Sequence, residues 1–119
     1  MARWLRLTSA TDFERVRREG RSHAHPLVVL IAARRAPLTE TPLPTRVGVT
    51  AGKRVGHAVA RNRAKRLLRE AIHARYAQLL PHWDLILVAR APLAQVKLAE
   101  AQTAVDNLLR RARVLIADD

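Results

Sequence analysis

The spacing of apolar residues changes along the chain, and each change marks an element. Between Ser9 and Glu19, Phe13 and Val16 sit among charged residues, Ser9 and Asp12 form a capping pair, and Gly20 supplies a stop. Together they predict a short first helix. Leu27 to Ala33 is an unbroken apolar run behind Pro26, as a buried strand requires. Pro37, Pro42 and Pro44 make the segment from Arg35 to Pro44 a loop. Thr45 to Ala51 reads as a strand closed by Gly52, and a long helix follows from about His57 to Leu80, stopped by Pro81. Asp84 to Ala89 is a further short buried strand. Beyond Pro92, Leu98, Ala101, Val105, Leu108, Ala112 and Leu115 recur at helical spacing and predict the last helix.

A strand, a long helix and another strand in succession argue for a parallel pair bridged by that helix. With 119 residues, 49% of them hydrophobic, the chain is one ordinary domain able to bury roughly two thirds of its unfolded surface. No repeat, low-complexity tract or linker divides it. The absence of cysteine excludes disulfides and thiolate metal sites and fits a reducing compartment. No apolar run approaches the roughly 18–20 residues that span a bilayer. The opening MARWLRLTSA has no apolar signal core, so the chain reads as soluble and intracellular, with no membrane partner.

Charge narrows the function. The 22 Lys and Arg stand against 10 Asp and Glu, a formal net charge of +12, which points to nucleic acid or an anionic membrane surface. Their placement says more than their number. The stretch from Gly52 to Ile72, GKRVGHAVARNRAKRLLREAI, holds Lys53, Arg54, Arg61, Arg63, Lys65, Arg66 and Arg69, with Glu70 as its one acid. At about 100° per residue, Arg61, Asn62, Arg63, Lys65, Arg66 and Arg69 sweep across one side of the long helix. Ala60, Ala64, Leu67, Leu68 and Ala71 gather on the other. Cations at successive turns lie about 5–6 Å apart and repel one another unless a polyanion runs alongside. A phosphate backbone repeats at a comparable pitch, and arginine forks take its oxygens bidentately. A solvated basic face is the bland alternative; Lys53 and Arg54, just ahead of the helix, argue against it.

Other constellations are weaker. The run GVTAGKR, Gly48 to Arg54, resembles a phosphate loop, yet its glycines are one residue too close and Arg54 stands where Ser or Thr would bind magnesium. His23 and His25 could share one side of a strand, but with no third ligand nearby they read as a surface pair. Asp84 lacks a second acid at the spacing a nuclease centre needs and reads as a turn residue.

Taken as a whole, the run RVGVTAGKRVGHAVARNRAKRLLREAI, from Arg46 to Ile72, closely resembles the signature of the bacterial ribonuclease P protein subunit. That signature is an R-V-G strand, a small basic turn, then A-V-x-R-N-R-x-K-R-L-x-R. Arg6-Leu7, Asp12-Phe13 with Val16 and Gly20, and Asp84 through Arg90 fall in the same order and spacing, so the resemblance covers nearly the whole chain. It implies one domain over residues 1–119 with an α+β fold, an α/β sandwich in the order helix, strand, strand, strand, helix, strand, helix. The small, mostly antiparallel sheet would hold one parallel pair, bridged by the basic helix in a left-handed crossover against the usual right-handed rule. It also implies a strand near Arg21 to His23 that the residues alone do not announce.

The activity implied is that of an endoribonuclease holoenzyme that removes the 5′ leader of precursor tRNA. Catalysis would belong to an RNA subunit with RNA-bound Mg2+, and the protein would carry no catalytic residue and no metal ligand. Its partners would be ribonuclease P RNA and precursor tRNA in the cytoplasm, with no small-molecule substrate. Position by position, Lys53, Arg54, Arg61, Asn62, Arg63, Lys65, Arg66 and Arg69 would face the RNA subunit, Asn62 either contacting RNA or fixing the helix start. A cleft between the first helix and the sheet would hold the leader along Phe13, Arg17, Val29 and Ile31. Phe13 would either stack on a base or anchor the first helix in the core. Many relatives have a second aromatic where this chain has Arg17, and a tyrosine where it has Ile31. Arg17 is then expected to contact phosphate or to stack through its guanidinium plane. On the residues alone two other classes stay open: a general RNA-binding or ribosome-associated protein, and a self-sufficient metal-dependent nuclease.

Overall fold

The computed structural model describes residues 5–35 and 43–116, so most of the proline-rich loop lies outside the described residues. In chain order the elements are β1 (Leu5–Arg6), α1 (Ala10–Glu19), β2 (Arg21–Ala24), β3 (Val28–Arg34), β4 (Arg46–Ala51), α2 (Ala58–Arg75), β5 (Trp83–Ala89) and α3 (Leu98–Ala112). Short 3-10 turns cover Lys53–Val55, Tyr76–Gln78 and Ala91–Gln95. The strands form one mixed sheet in the order β1-β4-β5-β3-β2. β4 and β5 are parallel, as the succession around the basic helix predicts, and β3 runs antiparallel to both β5 and β2.

Local chemistry accounts for the ends of α1. The Ser9 hydroxyl accepts the Asp12 N–H at 3.4 Å, filling one of the open donors of the first turn. At the other end a Cβ on Gly20 would lie 2.5 Å from the Val16 carbonyl oxygen, so only glycine lets the chain turn there directly into β2. The strand near residues 21–24 that the family resemblance implies is present as β2.

The core is divided unequally between the two faces of the sheet. Val28, Leu30, Val47, Leu85 and Leu87 alternate onto one face and meet Leu68, Ile72, Leu108 and Leu109 of α2 and α3, all fully buried. Each such aliphatic side chain contributes roughly 1.5–3 kcal/mol of transfer free energy. Among the described residues the other face carries only α1, whose ten residues reach about 15 Å. Val16 packs there with Leu7, Ala33 and Ile86. One short helix cannot roof five strands, and the Thr50, Val88 and Val29 row across β4, β5 and β3 stays partly exposed.

Tertiary contacts move three boundaries away from the sequence expectation. β1 has two residues and no periodicity to announce it. Its parallel pairing with Arg46 and Val47 gives the sheet two parallel and two antiparallel pairs, not one parallel pair in a mostly antiparallel sheet. α2 stops at Arg75 and not at Leu80. The backbone beyond it bonds elsewhere: Leu80 N–H donates to Val114 O and Ile116 N–H to Gln78 O, both at 2.7 Å, while the Tyr76 hydroxyl donates to Thr45 O at 2.6 Å. The same pairing takes Leu115 out of α3, which ends at Ala112 with Arg113 in the left-handed region at φ 58°.

Candidate RNA interface

α2 separates its two sides as its periodicity predicts. Ala64, Leu67, Leu68, Ala71 and Ile72 are buried against the sheet and α3. Asn62, Arg63 and Arg66 are exposed, and Arg61, Lys65 and Arg69 flank them half-buried, their stems lying on the protein. Asn62 sits past the helix start, which His57 caps without a side-chain bond, so it takes no part in fixing that start. Among the described residues none of these five cations forms a carboxylate pair; Arg63 donates through Nη2 to the Val96 carbonyl at 2.7 Å. The first turn of α2 has no acid. Its positive helix end therefore adds to the cations that follow, and together they raise the potential for phosphate.

Some arginines elsewhere are paired with internal acids. Asp84, fully buried in β5, accepts from Arg46 through Nε at 2.8 Å and Nη2 at 2.7 Å, and also from Arg15 of α1; Arg35 lies 3.8 Å away. The hydrogen bond to Asp84, foremost, holds the Arg46 guanidinium above its ordinary range, with Asp12 adding to it at 3.3 Å. Arg75 pairs with Asp106 in the same two-pronged way. Asp84 is thus neither a turn residue nor a nuclease carboxylate. It is the buried charge that ties α1 to the sheet, and a single sequence shows it only as an acid inside an apolar strand.

The remaining predicted site residues gather around the open half of the α1 face. Ile31 and Val29 lie on this face of β3, and Phe13 leans over β4, where a Cβ on Gly48 would come within 2.5 Å of its Cζ. Phe13 therefore anchors α1 in the small core, with part of its surface left at the cleft. Arg17, one turn further along α1, is exposed. Aromatic stacking has few other sources. The Tyr76 hydroxyl is bound to Thr45, and Trp83 lies under the Arg34 guanidinium at 4.6 Å.

Lys53 and Arg54 sit exposed on the turn ahead of α2. Their 3-10 turn lines a pocket of about 450 Å³ with Pro26, Val88, Arg90 and Pro92. Val88 belongs to the exposed row of the sheet, so cleft and pocket are continuous at the carboxyl ends of β4 and β5, where open α/β sheets commonly bind ligands. Arg90, which sequence reasoning did not single out, lines the same pocket; its signal was a cation placed directly after a buried strand. The His23 and His25 pair is a surface feature: His25 Nδ1 accepts the Leu27 N–H at 3.1 Å. Among the described residues no three His, Asp or Glu side chains are grouped to hold a metal, and no helix is long and apolar enough to cross a membrane.

A cationic ridge on one side and a cation-rimmed cleft on the other, carried by one α+β domain, define a nucleic-acid-binding protein. The family model Ribonuclease P matches residues 1–113, and the chain belongs to that family. The ribonuclease P protein component of Roseiflexus sp. (strain RS-1) is 40% identical over 121 residues, covering 100% of this chain and 94% of the relative. That of Herpetosiphon aurantiacus is 42% identical over 115 residues, covering 96% and 89%. The RNase P protein of Staphylococcus aureus superposes with a TM-score of 0.80 at 27% identity, over 95% of this chain and 99% of that one. The Thermotoga maritima RNase P protein, at 24% identity and a TM-score of 0.75 over 89% and 96% of the chains, adds support for the fold alone. The chain acts in tRNA 5′ processing as the protein part of that endoribonuclease, beside its RNA subunit.

Proposed function

We propose that the outward side of α2 docks on the ribonuclease P RNA through Arg61, Asn62, Arg63, Lys65, Arg66 and Arg69, and that the opposite face holds the single-stranded leader of precursor tRNA. The observation that carries this reading is the division among the arginines: Arg15, Arg46 and Arg75 are matched by internal acids, whereas those on the outer face of α2 are not. Holding such charges together costs repulsion that a polyanion removes. In the cleft, the exposed part of Phe13 and the Val29 and Ile31 side chains supply apolar contact for bases, and Arg17 a guanidinium plane or a phosphate contact. Lys53, Arg54 and Arg90 then receive the leader phosphates where the cleft opens into the pocket; for Lys53 and Arg54 this differs from the RNA-subunit contact that the family resemblance implies.

Hydrolysis belongs to the RNA subunit, with Mg2+ held by RNA. The one buried acid among the described residues is enclosed by guanidinium groups, surroundings that repel a cation, so Asp84 does not fit a metal ligand. The protein raises the local concentration and alignment of RNA and leader, and no proton is moved by its side chains. The cytoplasm, where tRNA precursors are trimmed, is its proposed location. The test is reconstitution with the cognate RNA at low magnesium. Added protein should raise cleavage of precursor tRNA, and protein alone should not cleave. Activity unchanged by the protein would remove the proposal.

A further inference from the structure

The contacts that hold α1 to the sheet are sorted around the circumference of the helix. With about 100° between successive residues, Arg15 and Asp12 lie on one flank, Val16 points at the sheet, and Phe13 and Arg17 follow on the other flank. Val16 is the only fully buried residue of α1. On the first flank Arg15 donates through Nη2 to the buried Asp84 and through Nη1 to the Arg34 carbonyl at 3.3 Å. Asp12 accepts Nη1 of Arg46 at 3.3 Å, and the same guanidinium grips Asp84 through Nε and Nη2. Both side chains are thus fastened to one carboxylate, Arg15 directly and Asp12 through Arg46. On the other flank Phe13 rests its ring over Gly48, and exposed Arg17 makes no ion pair among the described residues.

A helix that meets a sheet along one apolar line can roll about its own axis, and a polar tether on one flank fixes that roll. We infer that Asp84 is a positioning residue for leader recognition: through Arg15, and through Arg46 to Asp12, it sets the roll of α1 and with it the places of Phe13 and Arg17 over the cleft. The inference rests on the reading of that cleft as the leader site. The surface of a helix lies about 5–6 Å from its axis, so a roll of about 10° carries the far flank by about 1 Å. Binding groups work when they are held within about 0.5 Å of the productive place. A buried carboxylate suits this task, because its charge-assisted bonds to Arg15 and Arg46 are directional and burial keeps water from replacing either partner. The α2 ridge lies on the opposite face of the sheet, beyond the reach of this roll.

The test is the preference for precursor over mature tRNA, measured by binding to holoenzyme reconstituted from the cognate RNA and each variant, at a temperature where circular dichroism shows every variant folded. Arg15→Gln comes first, because Asp84 keeps its two-pronged bond to Arg46 and the fold is spared. The preference should fall roughly fivefold to tenfold, while affinity for the RNA subunit stays within about twofold. Arg15→Lys, which keeps a charged donor toward Asp84, should recover most of the preference. Loss of folded protein lowers binding of both tRNAs together and leaves their ratio alone. Arg17→Ala supplies the coupling: its effect on the preference should shrink in the Arg15→Gln background, since a rolled helix no longer presents Arg17 to the leader. A preference unchanged by Arg15→Gln and Asp84→Asn, beside an Arg17→Ala variant that loses it, overturns the inference and leaves the cleft standing. Strictly additive losses, or an equal loss of RNA-subunit affinity, overturn it as well. No loss from Arg17→Ala in the wild-type background would instead sink the leader reading, and the inference with it.

Discussion

Replacing Asp84 by Asn keeps the shape of the side chain and removes its charge. In the wild type this carboxylate has no exposed surface and answers Arg46 at 2.8 and 2.7 Å, Arg15, and Arg35 at 3.8 Å. Asn retains one acceptor oxygen, and the guanidinium groups are left with partly exposed Asp12, 3.3 Å from Arg46, and exposed Glu19, 3.7 Å from Arg15, as compensation. Removing one partner of a buried ion pair costs about 3–5 kcal/mol. Here the arginine side chains keep between 20% and 25% of their surface in water. Hydration returns part of the loss, and about 2–4 kcal/mol is expected. For a domain of this size that lowers Tm by roughly 8–16 °C. The assay is urea and thermal unfolding of Asp84→Asn beside Asp106→Asn. The second variant breaks a bond of the same shape, at 2.8 Å, between side chains that are 27% and 23% exposed. It should cost about 1 kcal/mol or less. Adding Arg15→Gln to Asp84→Asn removes one stranded charge and should recover part of the loss. If both aspartate variants lose the same small amount, burial does not set the strength of this cluster and the reasoning fails.

If α2 neutralises on the order of five phosphates, log affinity for the RNA should fall against log salt with a slope of about −3.5 to −4.5. Filter binding across salt concentrations checks this, and Arg66→Ala, at an exposed ridge position, should cost about 1–3 kcal/mol if its fork is bidentate. A flat response across Arg61, Arg63, Lys65 and Arg66 single variants would argue against the ridge. Arg17→Ala and Arg90→Gln should each weaken binding of precursor tRNA more than of mature tRNA, because only the precursor brings a leader; equal losses would remove the cleft. Gly48→Ala should displace Phe13, whose Cζ would lie 2.5 Å from the new Cβ. It should cost about 1–3 kcal/mol by overpacking, read by denaturant unfolding. His23 should titrate below the ordinary value of 6.5 in proton NMR, lowered first by burial and then by Arg111 and Arg21. A histidine whose folded value is depressed binds its proton more readily when unfolded, so His23 favours unfolding as pH falls below 6.5. Arg111→Gln should move its midpoint upward.

Sequence by itself determined what depends on near neighbours. The capping of α1 by Ser9, the apolar run of β3, the two-sided pattern of α2 and the stripe of α3 are all set within a few helical turns or strand residues, where periodicity and local hydrogen bonds decide. The side chains proposed to face RNA were legible for the same reason: six of them lie on one helix, and their angular spacing is fixed by the helix itself. Everything joining distant segments was decided by tertiary structure. Leu79 and Leu115 carry helical spacing, yet a bridge between them ends both helices, because backbone bonds across the fold replace the ones a continuing helix would make. Lys53 and Arg54 are neighbours of the ridge in sequence but line the pocket with Arg90, since the turn ahead of α2 lies at the carboxyl ends of the strands. Asp84 looks like a stray acid until β4, β5 and α1 bring Arg46 and Arg15 to it. Whether a charge is spent inside or offered to RNA depends on which carboxylates the folded chain brings within bonding distance, and residue order alone does not contain those distances.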